Sequence, residues 1–127
     1  MTGMTGRRPT VAIVGAGIAG IGLGIRLRRG GHEDFTILEQ ADDVGGVWRD
    51  NVYPGVACDI PSNLYSYSFL PPHDWSRVFG TGAEIHDYLR TAAKTEGLLE
   101  HIRLRTPMQG ATWDATRRRW RLSTPDG

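Results

Sequence analysis

The chain has 127 residues and a formal net charge of +1, with 15 Lys and Arg against 14 Asp and Glu. This length supports one hydrophobic core, and the balanced charge excludes a broad electrostatic attraction to nucleic acid or to an anionic membrane. Cys58 is the only cysteine, which excludes an internal disulfide. No apolar run approaches the ~20 residues of a membrane span, so we expect a cytoplasmic protein.

The first predicted elements alternate between strand and helix. Residues 10–14 are an apolar, β-branched run that stops at Gly15, as a buried parallel strand does. Apolar residues then recur at helical spacing until Gly30 ends the helix, and residues 34–39 predict a second strand. Strand, helix and strand make one βαβ unit, which is nearly always right-handed. The fold class is therefore α/β, with a Rossmann-like parallel sheet.

A second helix and three short strands are predicted in the C-terminal half. Thr81 is a plausible N-cap for a helix over 82–94, and Glu84, three residues later, completes a capping box. Residues 101–105 alternate as a third strand does, while 110–114 and 119–124 predict a hairpin that turns at 115–118. We expect residues 1–9 to be a flexible N-terminus and residues 10–127 to form one domain.

The turn after the first strand carries a dinucleotide fingerprint, GxGxxG, formed by Gly15, Ala16, Gly17, Ile18, Ala19 and Gly20. In this motif the first glycine permits the tight turn, the second lets a pyrophosphate approach the backbone, and the third allows close helix–strand packing. Glu39 ends the next strand, where a carboxylate can accept hydrogen bonds from the ribose hydroxyls of an adenine nucleotide. Because an acid repels a 2′-phosphate, the site favours FAD or NAD over NADP. The alternative is that the glycines serve only packing and that Glu39 only ends a strand.

Residues 45–69, GGVWRDNVYPGVACDIPSNLYSYSF, fit neither helical spacing nor strict alternation. Together with Glu39, the pair Gly45-Gly46 and Trp48 resemble the ExxxxxGGxW segment of class B flavoprotein monooxygenases. The run from Tyr53 to Phe69 is similar to the YPGxxCDxxSxxYSYSF block of Baeyer–Villiger monooxygenases. Two positions depart from the family: Val47 stands where many members have threonine, and Arg49 where many have an aromatic residue.

The resemblance implies that the cofactor is FAD and that further residues line its site. Besides the fingerprint and Glu39, the expected cofactor-binding residues are Gln40, Gly45, Gly46, Val47, Trp48, Tyr53, Asp59, Ile60 and Tyr65. In the family, the aspartate at the position of Asp59 lies near the flavin ring and helps to organise the nicotinamide, so Asp59 is the candidate catalytic residue. Glycines allow close approach of backbone and cofactor, and Trp and Tyr offer flat surfaces with a polar end.

The resemblance also implies parts that these 127 residues lack. Members of the family bind NADPH on a second GxGxxG unit, and only one such motif occurs here. We therefore expect NADPH to act only if a second domain is supplied, and the chain alone to be an inactive, truncated part. A fragment, a split gene product with a complementing chain, or a decayed gene would each fit. The resemblance further implies a 3-2-1 strand order, a hairpin that is part of an antiparallel β-meander, and a small-molecule substrate.

Two other functions remain open on the sequence. The chain could be a stand-alone module that holds FAD or NAD, or a non-functional gene fragment. A metal site is not expected, because His32, His73, His86 and His101 have no ligand spacing. Cys58 is interpreted as a small buried residue and not as a nucleophile, because no His stands in a recognisable dyad pattern with it.

Overall fold

The computed structural model describes residues 6–71 and 74–127. In chain order its elements are β1 (Val11–Val14), α1 (Ile18–Arg29), β2 (Phe35–Leu38), α2 (Val47–Asp50), α3 (Gly82–Thr95), a 3₁₀ turn (Leu99–His101), β3 (Ile102–Arg103), β4 (Gly110–Asp114) and β5 (Arg119–Ser123). The predicted βαβ unit is therefore confirmed. The expected flexible N-terminus falls partly on residues 1–5, and those residues and His73 lie outside the described part of the chain.

The first three strands form one parallel sheet in the order β1-β2-β3. Val11 pairs with Phe35 at one end of the β1–β2 ladder, and Leu38 pairs with Arg103 between β2 and β3. This confirms the 3-2-1 order. The third strand is shorter than the predicted residues 101–105. His101 ends the 3₁₀ turn with its ring stacked 4.0 Å from that of Phe35, and Arg105 takes a positive φ of 52°, which ends the extended backbone.

The core lies where α1 and α3 meet each other and the sheet. Its fully buried large side chains are Ile21, Ile25, Ile37, Ile85, Leu89 and Leu98. The capping box predicted for α3 is present: Thr81 accepts from the Glu84 N–H, and the Glu84 carboxylate accepts from the Thr81 N–H at 2.9 Å. Within the described residues, no helix combines the length and apolar character that a membrane crossing needs.

Residues 45–69 are mostly irregular, as their sequence predicts. One element is not indicated by the sequence: α2, a single helical turn that follows Gly45-Gly46. An isolated bridge joins Ala57 to Thr81 at the start of α3, and a second, local bridge joins Tyr67 to Leu70. The segment is thus anchored at the start of α3.

The hairpin is confirmed, with β4 and β5 paired antiparallel in a separate two-stranded sheet. Trp113 and Trp120 face each other across the strands with ring centroids 5.6 Å apart. Asp114 receives a 2.9 Å hydrogen bond from the Arg117 N–H, which closes the turn. The wider meander implied by the resemblance stays a prediction.

Candidate functional site

The turn between β1 and α1 carries the glycine fingerprint. Gly15 takes a φ of 97°, in the left-handed region that favours glycine, and its N–H donates to the Leu38 carbonyl at 2.7 Å. Gly17 is the N-cap of α1, and no side chain of the described residues caps it. The first N–H groups of a helix have no partner inside the helix, so this end of α1 offers donors to an anionic ligand.

The other two glycines of the fingerprint differ in what demands them. A Cβ on Gly20 would lie 1.9 Å from the Gly15 carbonyl oxygen, so the fold itself requires glycine there. A Cβ on Gly17 would meet only the Cα of Gly46, at 3.7 Å, which is an ordinary contact, and the φ of Gly17 is −82°. Neither the backbone nor the protein neighbours require glycine at position 17. The open space beside it is the room that a close-lying phosphate would use.

Glu39 lies at the end of β2 and is 4% exposed. Its Oε2 accepts from the Ala16 N–H at 2.9 Å, and its Oε1 accepts from the Ala41 N–H at 3.1 Å. The carboxylate therefore joins the glycine turn to the loop that follows β2. In the sequence, only their spacing relates Glu39 to the fingerprint. In the structure, the two are in direct contact.

The loop at Gly45-Gly46 packs against the same turn. The Gly45 N–H donates to the Ala16 carbonyl at 2.9 Å, and Gly46 lies so close to Gly17 that a Cβ on it would be 3.2 Å from the Gly17 Cα. Gly45 has a φ of 123° and Gly46 a φ of 56°. His86 of α3 supports the loop from behind, with Nε2 2.8 Å from the Val44 carbonyl oxygen. Three segments far apart in sequence thus converge at the start of α1.

In the sequence, Arg49 stands out only as a departure from the family pattern. It lies in α2 with its side chain 14% exposed, and its Nη1 is 3.4 Å from Glu39 Oε1 and 2.7 Å from the Asp43 carbonyl oxygen. A hydrogen bond with Asp50 and the nearby Glu39 charge outweigh partial burial and raise the pKa of Arg49. Arg49 is the only basic residue in the irregular segment 45–69, and this was the signal that could have identified it.

Asp43 anchors the same loop to α3. Partial burial disfavours its charge, but the hydrogen bonds from Arg90 and from the Val44 N–H outweigh burial and lower the pKa of Asp43. The Arg90 Nη2 lies 2.6 Å from Asp43 Oδ2, and His86 Nε2 lies 3.3 Å from the same oxygen. The contacts of Asp43 with Arg90 and His86 therefore hold the loop that carries Gly45-Gly46 against α3.

Two of the predicted aromatic residues contact each other. The Trp48 Nε1–H donates to the Tyr65 hydroxyl at 3.0 Å, and their rings meet edge to face with centroids 5.6 Å apart. Both rings are partly buried against the core, whereas Tyr53 is 61% exposed. Tyr67 has a structural contact that the sequence did not indicate: its hydroxyl donates to the Ile18 carbonyl in the first turn of α1.

The remaining predicted site residues do not join this cluster by hydrogen bonds. Gln40, Val47 and Asp59 are exposed, Ile60 is 42% exposed, and Ala19 is exposed on α1. Cys58, next to Asp59, is buried and its sulfur accepts from the Ile60 N–H at 3.4 Å. Within residues 6–71 and 74–127, no hydrogen bond links Asp59 to the glycine turn, and no cluster of His, Cys, Asp and Glu side chains could hold a metal ion. The role of Asp59 stays a prediction.

Comparisons with known proteins agree with this geometry. A family model described as an NAD(P)-binding Rossmann-like domain matches residues 13–88. The chain is 47% identical over 117 residues to a Baeyer–Villiger monooxygenase of Streptomyces coelicolor, an alignment that covers 92% of this chain and 22% of that protein.

Solved structures give the same result. An oxidized steroid monooxygenase bound to NADP superposes with a TM-score of 0.87 at 40% identity, over 93% of this chain and 23% of that one. A monooxygenase named OTEMO, in complex with FAD and NADP, superposes with a TM-score of 0.85 at 28% identity, over 95% of this chain and 24% of that one. The chain therefore spans less than a quarter of the length of each of these three proteins.

Proposed function

This chain belongs to the family of NAD(P)-binding Rossmann-like domains and is similar to the N-terminal part of Baeyer–Villiger monooxygenases, and from that premise we propose that it binds FAD. The observation that carries the proposal is the convergence of Gly17, Glu39 and Gly46 at the start of α1. It provides free backbone donors, space without a Cβ, and a buried carboxylate within one site. A dinucleotide needs these three features for its phosphates and its ribose.

The residues present fit FAD, and each has a separate task. The start of α1 binds the pyrophosphate through N–H groups, and Glu39 accepts a hydrogen bond from the adenosine ribose. Gln40 and the loop at Gly45-Gly46 flank the nucleotide, while the other residues that we assign to the cofactor surface lie further along the irregular segment: Val47, Trp48, Tyr53, Asp59, Ile60 and Tyr65. FAD, when bound, supplies the oxygen-insertion chemistry on a ketone or a soft heteroatom of a small-molecule substrate.

We further propose that this chain acts as part of an NADPH-dependent flavin monooxygenase. The similarity to the steroid monooxygenase bound to NADP and to OTEMO with FAD and NADP supports that assignment. Since the 127 residues contain one GxGxxG motif, we place NADPH on a second nucleotide-binding unit, contributed by further sequence or by a complementing chain. Asp59 would then take its catalytic role between the flavin and that unit.

Nucleotide titration of the purified 127-residue protein tests the cofactor. We expect FAD to bind with quenching of its fluorescence, and NAD, titrated in parallel by calorimetry, to bind more weakly. Gly17→Val and Glu39→Ala each lower FAD affinity by at least about tenfold, because one fills the phosphate space and the other removes the ribose acceptor. Gly6→Val is the matched control, since a Cβ on Gly6 meets no atom of the described residues within 4 Å.

Two outcomes of this titration contradict the proposal. A folded protein that takes up neither nucleotide shows that the site is not a dinucleotide site. A clear preference for NAD over FAD shows that the fold is a nicotinamide-binding module, and the assignment to the flavin cofactor is then wrong. Circular dichroism of each variant separates a loss of binding from a loss of folding.

A further inference from the structure

Arg49 connects three segments that surround the predicted ribose site. Its Nε donates to Asp50 Oδ1 at 2.8 Å within α2, and its Nη1 donates to the Asp43 carbonyl at 2.7 Å in the loop before α2. The same Nη1 lies 3.4 Å from Glu39 Oε1, at the end of β2. The guanidinium plane is therefore fixed by its own helix and its own loop, and not by the carboxylate alone.

The ion pair of Arg49 and Glu39 is buried, so the loss of one partner costs more free energy than the loss of a partner in a surface pair. The exposed fractions of the two side chains are 14% and 6%. A buried carboxylate without a counter-charge is strongly unfavourable, and removing one partner of a buried pair leaves the other uncompensated. Surface pairs, in contrast, contribute little. Arg49 is the cation nearest to Glu39 among the salt bridges of the described residues.

The hydrogen bonds around Glu39 indicate which oxygen remains for a ligand. A carboxylate has about four lone-pair positions, two on each oxygen. Oε1 accepts from the Ala41 N–H and faces Arg49, so both of its positions are directed at the protein. Among the described residues, Oε2 accepts only from the Ala16 N–H. One acceptor position on Oε2 is left, beside the glycine turn.

We propose that Arg49 is a positioning residue for nucleotide binding: together with the Ala41 N–H it fixes Oε1 of Glu39, so that Oε2 is presented to a ribose hydroxyl. This inference rests on the proposed function and adds to it a residue that does not touch the nucleotide itself. It differs from a direct contact between Arg49 and a phosphate, because its effect passes through Glu39 and disappears when the acid is absent.

A double-mutant cycle separates these two roles. Wild type, Arg49→Gln, Glu39→Gln and the double variant are titrated with FAD and with ADP, which carries the ribose and a diphosphate but no flavin. We expect each single change to weaken binding about tenfold, and the double variant to bind no more weakly than Glu39→Gln alone. Arg49→Lys keeps the charge and retains most of the affinity.

Arg117→Gln is the control for the loss of an arginine ion pair. Arg117 is 62% exposed and pairs with Asp114 at 2.9 Å in the turn of the hairpin, which belongs to a different sheet from Glu39. The affinity of this variant for FAD is expected to stay within about twofold of wild type, because an exposed pair contributes little. If Arg49→Gln weakens binding equally in the presence and absence of Glu39, Arg49 contacts the nucleotide directly and the inference is wrong. Unchanged binding by Arg49→Gln also overturns it.

The same four proteins distinguish a failure of this inference from a failure of the proposed function. If wild type binds nucleotide and the cycle is additive, the function stands and the positioning role fails. If wild type binds neither FAD nor ADP, the proposed function fails, and urea unfolding of the four proteins then tests the pair without a ligand. Additive changes in unfolding free energy would show that Arg49 does not hold Glu39.

Discussion

The backbone N–H of Ala16 donates a 2.9 Å hydrogen bond to Oε2 of Glu39, and both groups are buried. The bond joins the middle of the glycine fingerprint to the acid that follows the second strand. It makes the two halves of the motif one structural unit, since a movement of the turn also moves the carboxylate. Glu39 therefore contributes to the shape of the site before any ligand is present.

Glu39→Ala is expected to lower the stability of the protein without nucleotide. The change leaves the buried Ala16 N–H without its acceptor and removes one of the two carboxylates beside Arg49, which keeps only Asp50. An unsatisfied buried donor costs about 1–3 kcal/mol, and the loss of one charge partner of the largely buried Arg49 adds to that cost. Urea unfolding monitored by circular dichroism measures the change. Glu33→Ala, at an exposed carboxylate paired with Arg28, is the control and should cost well under half as much. Equal costs would mean that Glu39 has no structural role.

The second and third glycines of the fingerprint, Gly17 and Gly20, respond differently to added bulk. Gly20→Ala places a Cβ 1.9 Å from the Gly15 carbonyl oxygen, a backbone atom that cannot move aside, so we expect a loss of several kcal/mol or failure to fold. Gly17→Ala meets only an ordinary contact and is expected to change the unfolding free energy by less than about 1 kcal/mol. Thermal unfolding of both variants beside wild type measures the difference.

FAD titration completes this comparison of the two glycines. Gly17→Ala should weaken FAD binding by about tenfold or more although the protein stays folded, because the methyl group enters the space that the pyrophosphate needs. A folded Gly17→Ala protein with wild-type affinity would show that the ligand does not approach this backbone. A stable Gly20→Ala protein would show that α1 can move away from the turn.

The regular elements could be predicted because their signals are local. Apolar runs, glycine stops and the capping box at Thr81 each act within a few residues, and the structure confirms β1, α1, β2, α3 and the hairpin close to the predicted bounds. The length of the third strand was overestimated, because the stacking of His101 on Phe35 and the positive φ of Arg105 depend on tertiary packing. Alternation alone carries no information on such contacts.

The glycine fingerprint and Glu39 could be predicted from the sequence, but the contacts that hold them in place could not. Spacing identified the fingerprint and Glu39, since both belong to a recurring βαβ geometry. The contacts of Arg49 with Glu39 and of Gly45 with Ala16 join separate segments through single hydrogen bonds or charges, and no sequence period encodes them. The one-turn helix α2 was missed for a similar reason, because four residues are too few to show a helical period.

Gly22 of α1 is required by an aromatic ring and not by the backbone. A Cβ on it would lie 2.8 Å from Tyr67 Cε1, and that ring is held by stacking on Phe69 at 5.1 Å and by its hydroxyl bond to Ile18. Gly22→Ala therefore destabilises the protein by about 1–3 kcal/mol, despite the better helix propensity of alanine.

Removal of the Tyr67 ring tests whether that ring explains the glycine at position 22. In the Gly22→Ala, Tyr67→Ala double variant the ring is gone, so the added methyl group should cost nothing or become favourable. Chemical unfolding of wild type, both single variants and the double variant yields the coupling. If Gly22→Ala costs the same with and without the Tyr67 ring, the contact does not explain the glycine.

The capping box of α3 predicts how stability changes in acid. Hydrogen bonds from the N–H groups of Thr81 and Ser76 lower the pKa of Glu84 from 4.5 to about 2. Because the folded-state pKa is the lower one, the carboxylate contributes stability above its unfolded value, and that contribution is lost as the pH falls from 4.5 towards 2. Urea unfolding at a series of pH values across this window should show wild type losing more stability than Glu84→Gln, whose side chain does not titrate.

Asp87→Asn is the control for this prediction, because it changes a carboxylate that is 74% exposed on the same helix, and its stability should follow that of wild type. Parallel curves for wild type and Glu84→Gln would show that the capping carboxylate does not contribute to acid unfolding.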